Sequence, residues 1–452
     1  MRSGRIYNHR VTLLVLIVLI IIILVDTSLI RISELIRFPP GQNGNITIFV
    51  VIGIAYTIGQ IFILKYAKLE SKKIGLHRSL YLNYINRVVT LAQYVLTGIF
   101  VVIILQILVL SQYSTVFLTI ATALSYLLLL AVMALLSQRF FSWFSSNKNL
   151  IVLLYGFSTV MISLTSVFTL VLTGLTSITM PAQVGEQIAG IARFVVKGSV
   201  ASLISDLYVI SSIIAFVLLW TATALLLRYY FQKLRGIRYW IIICLPLVYF
   251  LTQYPALFLN LFAPMLISNP TFFGIFFTLV FALSNLTGGV LFAIAFWTAG
   301  RTLARGTIVR TYMTISAYGL ILLFLTNQGI LLMATGGHYP PFGLATVSLV
   351  GLSAYLILIG IYSSAISVSH DISLRKSIRS SVEKQANLLH SIGTAEMEQE
   401  IENRVIRITR EQQSNMIKET GIESSINDED VKKYLAEVME EVKGIKDRER
   451  TG

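Results

Sequence analysis

VVTLAQYVLTGIFVVIILQILVL, residues 88–110, is followed three residues later by STVFLTIATALSYLLLLAVMALL, residues 114–136, and neither stretch holds a charged residue. A helix of this length rises about 34 Å at 1.5 Å per residue, and the hydrocarbon core of a bilayer is about 30 Å thick. Lipid offers no partners for backbone N–H and C=O groups, so such a run must fold as a helix that satisfies them internally. Ser111-Gln112-Tyr113 leaves room only for a turn, so the two runs form an antiparallel pair of spans.

Working outward from that pair, apolar runs recur from Val11 to Ser363 and give ten spans, at about 11–28, 48–65, 88–110, 114–136, 150–178, 204–227, 239–259, 271–297, 312–333 and 343–363. The fold class is therefore all-α, a polytopic transmembrane bundle over residues 1–368 with a helical tail over 369–452. Val11–Val25 reads as the first span and not as a signal peptide, because DTSLIR after it lacks a small-x-small cleavage site.

Composition agrees. The chain is 55% hydrophobic and only 13% charged, against roughly 25% in soluble domains, which excludes a simple soluble enzyme. The net charge of +14 suggests nucleic acid until it is located: residues 1–368 carry 22 Lys/Arg against 5 Asp/Glu, and the tail carries 14 against 17. The basic excess belongs to the membrane part, where loop Lys and Arg set topology beside an anionic leaflet, so the partner is a lipid bilayer and not nucleic acid.

With the N-terminus inside, the inner segments before the tail hold 18 Lys/Arg and the outer loops hold four, Arg31, Arg37, Arg193 and Lys197. This predicts a cell-membrane protein with both termini cytoplasmic. Trp143, Trp240 and Trp297 fall at inner boundaries, where amphipathic rings favour headgroups. Asn45-Ile46-Thr47 is a glycosylation tripeptide expected in the first outer loop. Residues 179–203 form a longer outer connection, read as an interfacial helix opened by Pro181.

Ionisable residues inside spans are functional candidates. Asp206, near the outer end of the sixth span, is singled out as the acidic one, with Arg193 and Lys197 as ion-pair partners or a proton site as the other reading. Neutral polar residues cluster at mid-depth: Gln253 in the seventh span, Asn285 and Thr287 in the eighth, Asn327 and Gln328 in the ninth. Such a cluster either contacts a small neutral solute near the midplane or holds helices together at about 0.6 kcal/mol per hydrogen bond.

The single Cys244 excludes an intramolecular disulfide, and the five histidines are scattered. No metal-binding spacing, paired carboxylates or phosphate loop appears, so neither an enzyme nor a cofactor is expected.

In the tail, Ile361–Ile392 contains no glycine or proline and predicts one helix running out of the membrane as a lever. Asn427 and Asp430 mark a capping box for a last helix whose Val431, Tyr434, Leu435, Val438 and Val442 line one face for a cytoplasmic protein partner. A homo-oligomer is also compatible with these faces.

Ser369-His370-Asp371-Ile372 resembles the phosphoacceptor box of sensor histidine kinases, but lacks the following proline and any ATP-binding domain, and reads as a juxtamembrane histidine. SSAISVSHDISLRKSIRSS (363–381) and HSIGTAEMEQEIENRV (390–405) together resemble the C-terminal region of uncharacterised multi-pass membrane proteins of ammonia-oxidising archaea. That resemblance covers the tenth span and most of the tail, and implies no catalytic residue. The first functional expectation is a membrane sensor or scaffold acting through the tenth helix on the tail. The alternative is a permease or channel for a small neutral solute.

Overall fold

Each apolar run folds as a helix, and the computed structural model contains no strand among the described residues. The structure describes residues 2–35, 42–72, 80–179, 199–228, 236–252, 264–265, 268–301, 303, 307–327, 340–372, 374–375, 386–420, 427, 429–435 and 437–438. The helices are α1 (Arg2–Leu35), α2 (Gln42–Lys72), α3 (Leu80–Leu110), α4 (Thr115–Asn147), α5 (Leu150–Thr179) and α6 (Val200–Leu227). Then follow α7 (Ile237–Thr252), α8 (Pro270–Arg301), α9 (Ile308–Thr326), α10 (Leu344–His370, interrupted only at Leu349) and the tail helix α11 (Ala386–Thr420). Among the described residues nine helices are long and apolar enough to cross a membrane, and α7 is a shorter apolar one, so the chain is a multi-pass helical membrane protein.

Local chemistry explains several ends. The Ser199 side chain accepts from the Ser202 N–H at 3.2 Å and caps α6. Lys148, in the left-handed region at φ 48°, ends α4 and lets α5 start two residues later. Asn149 caps that start, its Oδ1 accepting from the Ile151 N–H at 2.9 Å.

The tenth span is the axis of the bundle. Residues 340–365 are buried without exception, enclosed by α1, α2, α3, α4 and α9, with α11 across the end. Its closest neighbour is α9, and small residues make the approach possible: a Cβ on Gly319 would meet the Ile357 backbone nitrogen at 2.8 Å, and one on Gly360 would meet the Tyr312 carbonyl at 2.6 Å. On one flank α5, α6, α7 and α8 pack as a second layer. It is tied to α9 by an aromatic cluster in which Phe216 stacks on Phe250 at 3.7 Å and meets Phe292 and Phe324 edge-on.

The tail departs from expectation. The predicted lever ends at His370: Asp371 is extended (φ −99°, ψ 103°), and its Oδ1 accepts from the Leu374 N–H at 3.0 Å. Aspartate favours this because its side chain bonds backbone N–H groups that a continuing helix would use internally. The apolar face of α11 (Leu388, Leu389, Ile392, Ala395) is buried on the bundle, which removes from water the surface a free lever would expose. Gly393 lies inside α11, where its missing side chain admits Val368. Trp143 is likewise no interfacial ring. It is fully buried, while Trp240 and Trp297 are exposed on the bundle surface.

Candidate functional site: a buried carboxylate at the head of the central helix

The end of the bundle that carries α11 is called here the tail end. At the far end, Pro340 and Pro341 exclude helix, and Gly343 turns the chain at φ 93° before α10 begins. A glycine has no side chain to cap a helix, so the first N–H groups of α10 need partners from elsewhere. Asp26 of α1 supplies them. Its Oδ1 accepts from the Gly343 N–H at 2.8 Å, and its Oδ2 accepts from the Thr346 N–H at 3.0 Å and the Thr346 hydroxyl at 2.8 Å.

Asp26 is completely buried, as is Thr346, and the Thr27 hydroxyl lies 3.4 Å from that of Thr346. Apolar rings close the place off: Phe49 of α2 packs edge-on against Phe342 at 6.0 Å and stacks on Phe100 of α3. Hydrogen bonds to an ionised acceptor are about twice as strong as neutral ones, and the positive end of α10 adds to them. The arrangement latches the first span to the tenth.

The tail end is built differently. The Trp143 indole donates to Glu396 Oε2 at 2.9 Å, Asn149 Nδ2 to Ser391 Oγ at 2.6 Å, and Gln399 Nε2 to Ser142 Oγ at 2.6 Å. His370, the last residue of α10, lies 3.5 Å from Glu400 with both side chains more than half exposed. These contacts join α4, α5 and α10 to α11, so one buried helix reaches both ends.

The residues singled out from sequence separate. Asp206 is exposed on α6, and Arg193 and Lys197 lie outside the described residues, as do Gln253, Gln328, Val442 and residues 180–198. Asp206 is not the only acidic residue within a span: Asp26 lies inside the first one and is the carboxylate at the core. Asn285 is buried on α8, whereas the Thr287 hydroxyl donates to the Leu283 carbonyl of its own helix at 2.7 Å. Asn327 ends α9 and accepts from the Tyr126 hydroxyl at 3.1 Å. It also lines a cavity of about 20 Å³ with Thr165, Ser212, Phe216 and Phe324, enough for one water molecule and too small for a solute. Asn45 lies in the first turn of α2, half-buried, and not in a free loop.

One half of the capping box of the last helix is present: the Asn427 N–H donates to Asp430 Oδ2 at 3.3 Å. Of its apolar face, Tyr434 is exposed while Val431, Leu435 and Val438 are half-buried, and Lys432 approaches Glu402 of α11 at 3.7 Å.

A second polar stripe was overlooked. Asn86, Thr90, Gln93 and Thr97 recur along one face of α3, where Gln60 of α2 donates to Thr97 and Tyr355 of α10 donates to Asn86. The spacing i, i+4, i+7, i+11 was the available signal. Gln60–Thr97 and Tyr355–Asn86 act as polar glue between spans, whereas Thr90 bonds the Asn86 carbonyl of its own helix and the buried Gln93 side-chain amide has no partner among the described residues. Among the described residues no three His, Cys, Asp or Glu side chains gather as a metal site.

Fold and site together define a polytopic helical membrane protein with a central helix anchored at both ends. No family model matches the chain, and neither a curated protein nor a solved structure matches it.

Proposed function

We propose that the protein is a membrane sensor or scaffold in which α10 couples the state of the far end to the placement of the tail. The observation that carries this reading is that one helix, buried over residues 340–365, is latched by Asp26 at its head and packed against α11 at its foot. Packed interfaces of this kind hold discrete arrangements and do not deform continuously, so a change at one end is passed on as a shift of the whole element. The excess of Lys and Arg in alternate loops supports a cytoplasmic tail. The exposed Tyr434, with Ile401, Ile408 and Met416 on α11, supports a protein partner there. The reading needs no catalysis.

Hydrogen–deuterium exchange on the full-length protein in lipid nanodiscs tests it. Asp26→Asn and Thr346→Val are expected to speed exchange across residues 386–400, with Asp206→Asn unchanged. Faster exchange confined to residues 343–350 would refute the coupling.

A second reading, a permease for a small neutral solute, rests on the polar Asn327 and Thr165 that face the one-water cavity. It requires α5, α6 and α9 to separate, since the space present holds only water.

A further inference from the structure

We infer that Asp26 is a proton-binding site, and that Thr346 and Thr27 are the hydroxyls that let it exist in two protonation states within the bundle. The ionised carboxylate is served by three donors, the Gly343 N–H, the Thr346 N–H and the Thr346 hydroxyl. A carboxylic acid needs something else, an acceptor for its own O–H, and backbone N–H groups cannot provide one. The Thr346 hydroxyl can. Rotated about its C–O bond it accepts from Asp26 Oδ2 and turns its own hydrogen toward Thr27 Oγ1, 3.4 Å away and equally buried.

The step balances simply. One proton from water at this end adds to Oδ2, one O–H bond forms, and the Oδ2–Thr346 and Thr346–Thr27 hydrogen bonds both reverse direction. In the ionised state the Thr27 hydroxyl can donate to Thr346 Oγ1, and in the protonated state it can accept from it, so the pair serves either charge of Asp26.

Among the described side chains, the surroundings leave Asp26 as the group that changes charge at this end. Of the elements packed on α1, α2 carries Tyr56 in its far half and Lys65, Tyr66, Lys68, Glu70 and Lys72 only toward the tail end. The only charged residue of α8 is Arg301, at its last position; α9 carries Arg310 in its first turn, with Tyr312 and Tyr318 beyond it. The first half of α10 has Tyr355 alone, and its His370 lies at the tail end. Arg31 and Glu34, further along α1, are side chains outside the described set. Carboxylates placed inside spans are the usual carriers of protons in membrane proteins.

This deepens the sensor reading by naming its stimulus, and the two can fail separately. The test is infrared difference spectroscopy of the full-length protein in nanodiscs from about pH 4 to about pH 9, across the range where carboxyl groups titrate in proteins. The expected result is a carboxylic C=O band that disappears as pH rises, is absent in Asp26→Asn, and loses its midpoint position in Thr27→Val. Because Thr27→Val removes the hydroxyl that partners Thr346 as donor in one state and acceptor in the other, the midpoint should move by roughly half to one pH unit. If Asp26→Asn does not fold, Asp26→Glu assigns the band by displacing its frequency. Absence of any Asp26-dependent band, a band that does not titrate, or a midpoint indifferent to Thr27→Val would each overturn the proposal. A titrating band with no pH response in exchange at residues 386–400 supports the proton site and removes the relay.

Discussion

The two ends of α10 are held by opposite means. At the far end a single carboxylate, wholly out of water, takes three hydrogen bonds within 3.0 Å. At the tail end the holding is shared among an apolar patch, Trp143–Glu396, Asn149–Ser391, Gln399–Ser142 and the exposed His370–Glu400 pair. Water cannot substitute for a lost partner at the first place and can at several points of the second. The head of the helix should therefore behave as all-or-none and the foot as graded.

The largest effect is expected from Asp26→Ala, which strands two buried N–H donors at roughly 1–3 kcal/mol each and should lower the melting temperature more than any tail substitution. Thermal unfolding in detergent checks this, and a change no larger than that of Trp143→Phe would break the contrast. Next comes Gly360→Val, which drives a side chain into the Tyr312 carbonyl and Ser316 of α9 and should cost about 1–3 kcal/mol by overpacking. Trp143→Phe removes one indole donor to Glu396 and should cost about 1 kcal/mol, seen as faster exchange at residues 386–400 with α1 unaffected.

The smallest effects are expected at the mid-depth polar residues. In a Cys244→Ser background, single cysteines at Asn285 or Asn327 should resist a membrane-impermeant maleimide, because a cavity of about 20 Å³ admits no such reagent. Rapid labelling would move the permease reading to first place.

The spans were legible because hydrocarbon imposes length and composition on each of them independently. Asn427 with Asp430 was legible for a similar reason, as both partners lie within one turn. The latch was not. Asp26 meets Gly343 across 317 positions, so no local pattern carries the contact, and its single charge is swamped by the apolar run before it. The stop at Asp371 was present in the sequence as an aspartate suited to start a new turn, but the absence of glycine and proline suggested continuity instead. What decided the matter was burial of Leu388, Leu389 and Ile392 on the bundle, a property of tertiary packing.

The coupling of the two ends is tested most directly by a distance across the tail end under a change made only at the far end. Spin labels at the exposed Ser145 of α4 and Gln412 of α11, in a Cys244→Ser background, report where the tail helix sits. With Asp26 intact the account predicts one narrow distance distribution, and with Asp26→Asn a broader one shifted to longer distances. An unchanged distribution in folded Asp26→Asn protein would contradict it.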